Sequence, residues 1–191
     1  MRPGSAAAVA LLAVLAGCAS ASRPANVENA CAIFDDRPDW RRALERSEAK
    51  WGAPASVQLA IIWKESAFEA DAQPGRTYFL GIIPTGRRSS AYGYSQALDG
   101  TWEWYVRETG NSGADRDDFE DAADFIGWYM ARTARVNGIS MRDAYNQYLA
   151  YHEGHAGYRS GAWKGKRWLR RVASDVDRKA ASYAAQMRRC A

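Results

Sequence analysis

Histidine and cysteine are scarce in this chain: His152 and His155 are its two histidines, and Cys18, Cys31 and Cys190 its three cysteines, among 191 residues. The histidines fall in His152-Glu153-Gly154-His155, one residue too tight for the helical His-Glu-x-x-His zinc motif, and no third ligand accompanies them. The thiols are not arranged for metal binding or nucleophilic catalysis, so no metal and no other cofactor is expected. Alternation at strand length is also lacking, apart from a short apolar run at residues 77–83 between Gly75 and Pro84, and this argues against a β fold. Internal repeats are absent. Positive charge exceeds negative by little, 26 Lys+Arg against 22 Asp+Glu, which is too small an excess to argue for nucleic acid as a partner.

What is present begins with an address. Arg2 gives a small positive n-region, and residues 6–15 form an apolar run too short to span a bilayer as a stable helix. The run ends in Leu15-Ala16-Gly17-Cys18, which resembles a bacterial lipobox, where the cysteine is acylated and becomes the mature N-terminus; an ordinary signal peptide and a short anchor are the alternatives. Acylation adds about 0.8 kcal/mol per buried methylene, and stable anchoring takes more than one chain. Ala19 is not the aspartate that often retains such proteins in the inner membrane. The expected location is therefore the periplasmic face of a bacterial membrane, at the outer-membrane inner leaflet. Residues 1–17 are read as the signal, 18–27 as a lipidated cysteine and flexible tether, and 28–191 as one domain long enough for a proper core. With Cys18 consumed by lipid, Cys31 and Cys190 stand at the two ends of the folded part, and an oxidising periplasm permits a disulfide between them. Two free thiols are the alternative.

The periodicities are helical. Trp40, Leu44, Ser47 and Trp51 space out one helix, stopped by Gly52, and Phe119, Ala123, Ile126, Met130 and Ala134 a longer one, closed by Asn137-Gly138. Ser140 is expected to cap the next, with Asp143 three residues on as in a capping box. The last helix is expected over about residues 166–189, with Trp168, Val172, Val176, Ala180, Tyr183 and Met187 on its inner face. The basic run Lys164-Gly165-Lys166-Arg167 and Arg170-Arg171 reads as a solvated face or a binding patch. The run at 77–83 allows a small hairpin. A mainly α single domain follows.

The most informative stretch is Ile61-Ile62-Trp63-Lys64-Glu65-Ser66-Ala67-Phe68. Gly52 and Pro54 mark a break and a restart, with Pro54 suited to a first helical turn. Val57, Ile61 and Lys64 share one stripe, with Leu59, Ile62 and Ser66 beside it, so Glu65 projects from the last turn of a mostly buried helix. Apolar surroundings raise a carboxyl pKa, and the negative end of the helix pushes the same way. A carboxylic acid kept protonated near neutral pH is what glycosidic cleavage needs. A solvated glutamate at a helix end is the other reading.

Glu65-Ser66-Ala67-Phe68 resembles the Glu-Ser-x-Phe signature of the lytic transglycosylases related to goose-type lysozyme, the soluble-lytic-transglycosylase (SLT) family. Gly93-Tyr94-Ser95-Gln96 resembles that family's Gly-Leu-Met-Gln segment at its outer positions, and Ala150-Tyr151-His152-Glu153-Gly154 its Ala-Tyr-Asn-Ala-Gly segment at three. Ala144-Tyr145-Asn146 is a rival for the last, without the glycine that Gly154 and Gly157 offer. The resemblance covers roughly residues 51–158. It implies a lysozyme-like fold and cleavage of the β-1,4 bond between N-acetylmuramic acid and N-acetylglucosamine in peptidoglycan, an anionic partner that suits the mild positive charge. Glu65 would serve as acid and then as base toward the muramic C6 hydroxyl, leaving a 1,6-anhydro end. Tyr151 would hydrogen-bond and orient the Glu65 carboxyl, while Gln96, Ser66, Tyr94 and His152 would contact substrate. Gln96 could equally cap a helix, Ser66 hold the loop, and Tyr151 belong to the core. Trp102 or Trp104 could line the cleft, whereas Glu69 and Asp71 read as loop residues. A hydrolytic muramidase and a non-catalytic wall-binding lipoprotein remain as rival functions.

Overall fold

A computed structural model describes residues 23–80 and 82–190; the expected signal segment and Cys18 lie outside these residues. Seven helices and one hairpin occur among them: α1 (Ala30–Asp36), α2 (Pro38–Trp51), α3 (Ala55–Ser66), β1 (Arg76–Phe79), β2 (Ile83–Arg87), α4 (Asp99–Thr109), α5 (Phe119–Asn137), α6 (Ala144–Ser160) and α7 (Arg167–Met187). The fold is lysozyme-like and mainly α, and the two strands pair antiparallel in the loop after Glu65.

Helix α3 is the centre. Leu59, Ala60, Ile61 and Ile62 are four consecutive residues without solvent exposure, so the helix is apolar all round and packs against α2, α5 and α7. Each such aliphatic side chain contributes about 1.5–3 kcal/mol on burial. Pro54 stands one position earlier than expected, as the N-cap with an extended ψ of 130°. Gly52 ends α2 and Gly138 ends α5, both in the left-handed region.

Two expectations shift. Asp143, not Ser140, caps α6, its side chain accepting from the Asn146 amide; the Ser140 hydroxyl accepts from Arg142 one turn too early. On α7 the buried residues are Leu169, Ala173, Val176, Ala180 and Tyr183, while Trp168 lies outside. Leu169 and Ala173 take the inner places because small and medium side chains let α7 approach the central helix closely, and an indole there would hold it off. A disulfide joins Cys31 to Cys190, with their Cα atoms 5.7 Å apart, and ties the first helix to the end of the last. The Val27 carbonyl, ahead of α1, accepts from the Tyr183 hydroxyl of α7.

Candidate active site

Glu65 sits in the last turn of α3, and the chain then turns sharply. Ala67 and Phe68 are consecutive non-glycine residues at φ 50° and 67°, a conformation that costs energy unless its surroundings enforce it. Two contacts enforce it. Phe68 is fully buried and stacks on Trp40 at 5.8 Å. The Ser66 hydroxyl donates to the Ile62 carbonyl at 3.2 Å and accepts from the Phe68 amide at 3.2 Å. Of the two roles open to Ser66, substrate contact and holding the loop, the structure shows the second: it is a buried brace for the turn that follows the acid.

The second motif builds the opposite wall. Gly93 has φ 74°, and a Cβ there would lie 2.0 Å from the Arg116 carbonyl oxygen, so the close approach itself excludes a side chain. Gln96, at φ 50°, donates from Nε2 to the carbonyls of Ala72 (2.8 Å) and Gly93 (2.9 Å). Its nitrogen locks the loop, and Oε1 is left to accept from a ligand. Tyr94 corrects an expectation: it is fully buried between Trp40 (5.5 Å) and Phe119 (5.3 Å) and cannot stack on a sugar. An aromatic at this position fills the core where the family's motif has an aliphatic residue.

The third motif lies on α6, which kinks at Gly154 (φ 74°, ψ 159°) and continues through Gly157 to Ser160 rather than leaving as a loop. Tyr151, His152, Glu153 and Gly154 line one cleft of about 450 Å³ together with Glu65 and Gln96, walled by Phe125 and Tyr129. The Tyr151 hydroxyl donates to the Ser95 carbonyl at 2.6 Å, not to Glu65. It fastens α6 to the Gly93–Gln96 turn. The phenol that lowers the Glu65 pKa is Tyr148, three residues earlier on the same helical face, which the sequence reading missed. Tyr145 and Asn146 are elsewhere: Asn146 is held by Asp143 and Tyr158 at the start of α6.

Electrostatics separate two carboxyls in the cleft. Desolvation pushes the Glu65 pKa up to about 7, against the opposing pulls of the Tyr148 hydrogen bond and the Lys64 charge. Glu153 goes the other way: Lys166 holds both its oxygens, at 2.7 and 2.9 Å, and lowers its pKa, with His152 helping. His152 Nδ1 is 3.2 Å from the same carboxylate. His155 lies apart, stacked on Tyr129 and paired with Thr133. Trp102 is packed among Tyr105 and Phe125, and Trp104 lies under the Arg132 guanidinium; neither lines the cleft, nor do Glu69 and Asp71. The arrangement can hold a proton near neutral pH beside an open groove, with an acceptor amide opposite.

The sequence model of a family described as "Transglycosylase SLT domain" matches residues 6–190. No curated protein matches the chain.

Proposed function

This chain belongs to the transglycosylase SLT-domain family, whose type of activity is peptidoglycan degradation, and from that premise we propose that it is a lytic transglycosylase leaving 1,6-anhydro-muramic ends. The observation that carries the reading is the carboxyl of Glu65, whose pKa of about 7 lets it hold a proton at neutral pH at the edge of the cleft. Glu65 gives this proton to the leaving glycosidic oxygen as positive charge develops at C1 of the muramic sugar. The carboxylate so formed takes the proton of that sugar's C6 hydroxyl, whose oxygen closes onto C1. The acid is regenerated and no water is consumed. Most glycosidases work with two carboxyls, and Glu153, held ionised by Lys166, is the other carboxyl of this cleft. Membership of the transglycosylase family favours one-carboxyl chemistry, and the hydrolytic muramidase remains the second reading because Glu153 shares the cleft. An intact acid argues against a purely binding role. Acylation at Cys18, and with it a place on the periplasmic face of the outer membrane, belongs to the same proposal and suits a wall substrate.

Mass spectrometry of purified sacculi digested with the protein from Cys18 onward tests it. Anhydro products, lighter than hydrolysis products by one water, are expected, and Glu65→Gln is expected to abolish their release. Hydrated products would convert the reading to a muramidase, and near wild-type turnover of Glu65→Gln would remove Glu65 from the chemistry.

A further inference from the structure

The His152 ring meets the Trp168 ring edge to face, 5.2 Å between centroids at 77°, and Trp168 opens 49% of its surface to solvent at the start of α7. Past Trp168 a shallow hollow of about 540 Å³ follows the outer face of α7, lined by Trp168, Arg171, Val172, Ser174, Asp175 and Arg178. Asp175 is neutralised by Arg178. Arg171 has no carboxylate partner among the described residues, and the same holds for Arg167 and Arg170 beside it. The basic run thus leaves guanidinium charge unmatched next to an exposed indole, in ring contact with the cleft wall.

A flat apolar surface flanked by a guanidinium fork suits a chain of amides that bears carboxylates. We propose that this strip is the subsite for the acidic peptide that branches from the muramic sugar, an inference that rests on the peptidoglycan reading above. The peptide leaves the glycan sideways, and the His152–Trp168 contact sets this strip directly beside the cleft wall. Trp168 covers the peptide backbone, and Arg171 pairs with a stem carboxylate.

The test reads binding, not turnover, using the Glu65→Gln protein with soluble glycan fragments that carry their peptides and the same fragments stripped by an amidase. Peptide-bearing fragments are expected to bind about 5-fold more tightly, the upper range for an exposed ion pair. Adding Arg171→Glu should bring that ratio close to one, and raising the salt should do the same to the single variant. Equal affinity for the two fragments, or a ratio that Arg171→Glu leaves intact, overturns the proposal. So does a Trp168→Ala variant that weakens both fragments equally, which would make Trp168 a sugar platform. A ratio unmoved by Arg171→Glu, with loss of binding to phosphatidylglycerol vesicles, would give the strip to a membrane surface instead. Fragments that bind without preference defeat this inference alone, whereas hydrated digestion products defeat the transglycosylase reading alone.

Discussion

Glu65 keeps its proton for a reason that can be measured without substrate. Its carboxyl titrates at 4.5 when unperturbed and at about 7 in the fold, so between those values the folded chain binds more protons than the unfolded one. Stability must then fall as pH rises through that window. Glu65→Gln keeps the shape and removes the charge. It should be more stable than wild type at about pH 8, by up to about 3 kcal/mol less whatever the open cleft returns through hydration, and the difference should vanish by about pH 4. Urea titrations at the two pH values decide it; no gap at the higher pH would mean that Glu65 ionises normally and the acid assignment loses its physical basis. The three tyrosines of α6 separate in the same way. Tyr148→Phe removes the hydroxyl that lowers the Glu65 pKa, so the alkaline limb of the activity profile should move up by as much as about one pH unit. Tyr151→Phe cuts the tie to Ser95 and should weaken substrate binding through the Gln96 turn, leaving the profile in place. Tyr145→Phe should do neither. A profile moved by Tyr151→Phe and not by Tyr148→Phe would return the orienting role to Tyr151.

Among the elements, α2 and α5 show what the sequence made legible and where it stopped. Both carry a mostly apolar stripe along one face and are followed by a glycine cap, so pattern and caps agree. What the pattern omits is the contact that sets their spacing. A Cβ on Gly127 would lie 2.2 Å from Ser47 Oγ and 2.8 Å from Trp51 Cδ1, while Ser47 donates to the Ala123 carbonyl and Trp51 to Asp124. Gly127→Ala gains about 1 kcal/mol of helix propensity and overpacks this crossing by about 1–3 kcal/mol. A net loss of stability in denaturant titrations is therefore expected, and a more stable variant would show that α2 moves away freely. Shorter elements were less legible. Seven residues of α1 give no period to read, and α4 buries only Trp102 and Tyr105. On α7 Val176, Ala180 and Tyr183 are buried as the period implied, and only the first residue of the stripe, Trp168, lies outside. In the cleft, motifs led to Glu65, Gln96, Tyr151 and His152, yet motif letters do not say which side chains hold the backbone. Ser66 and Tyr94 support the turns, and Tyr148 becomes visible only when the face of α6 is known.

At the scale of the whole molecule, chain ends far apart in sequence are fastened side by side. The bond between Cys31 and Cys190 spans 159 positions, and chain-entropy reasoning gives about 5 kcal/mol as the upper figure for so long a loop. The ends do not depend on it alone. Gln186 accepts from the Ala30 amide at 2.8 Å and donates to the Glu28 carbonyl at 3.2 Å, and Arg41 donates to the Cys190 carbonyl at 2.9 Å. These contacts hold the termini in place with the sulfurs separated, while the unfolded chain gains the full freedom of the opened loop. A Cys31→Ser, Cys190→Ser double variant of the soluble domain should accordingly lose about 2–4 kcal/mol while cleaving peptidoglycan at close to the wild-type rate at 25 °C, because Glu65, Gln96 and Tyr151 are held by contacts that do not involve α1. Reductant should bring the denaturation midpoint of the wild-type domain down to that of the variant and leave the variant unmoved. A wild-type midpoint indifferent to reductant would mean that the bond does not constrain the chain in solution, and a variant that folds but cannot cleave would mean that the clamp reaches the cleft through α7, where Lys166 grips Glu153.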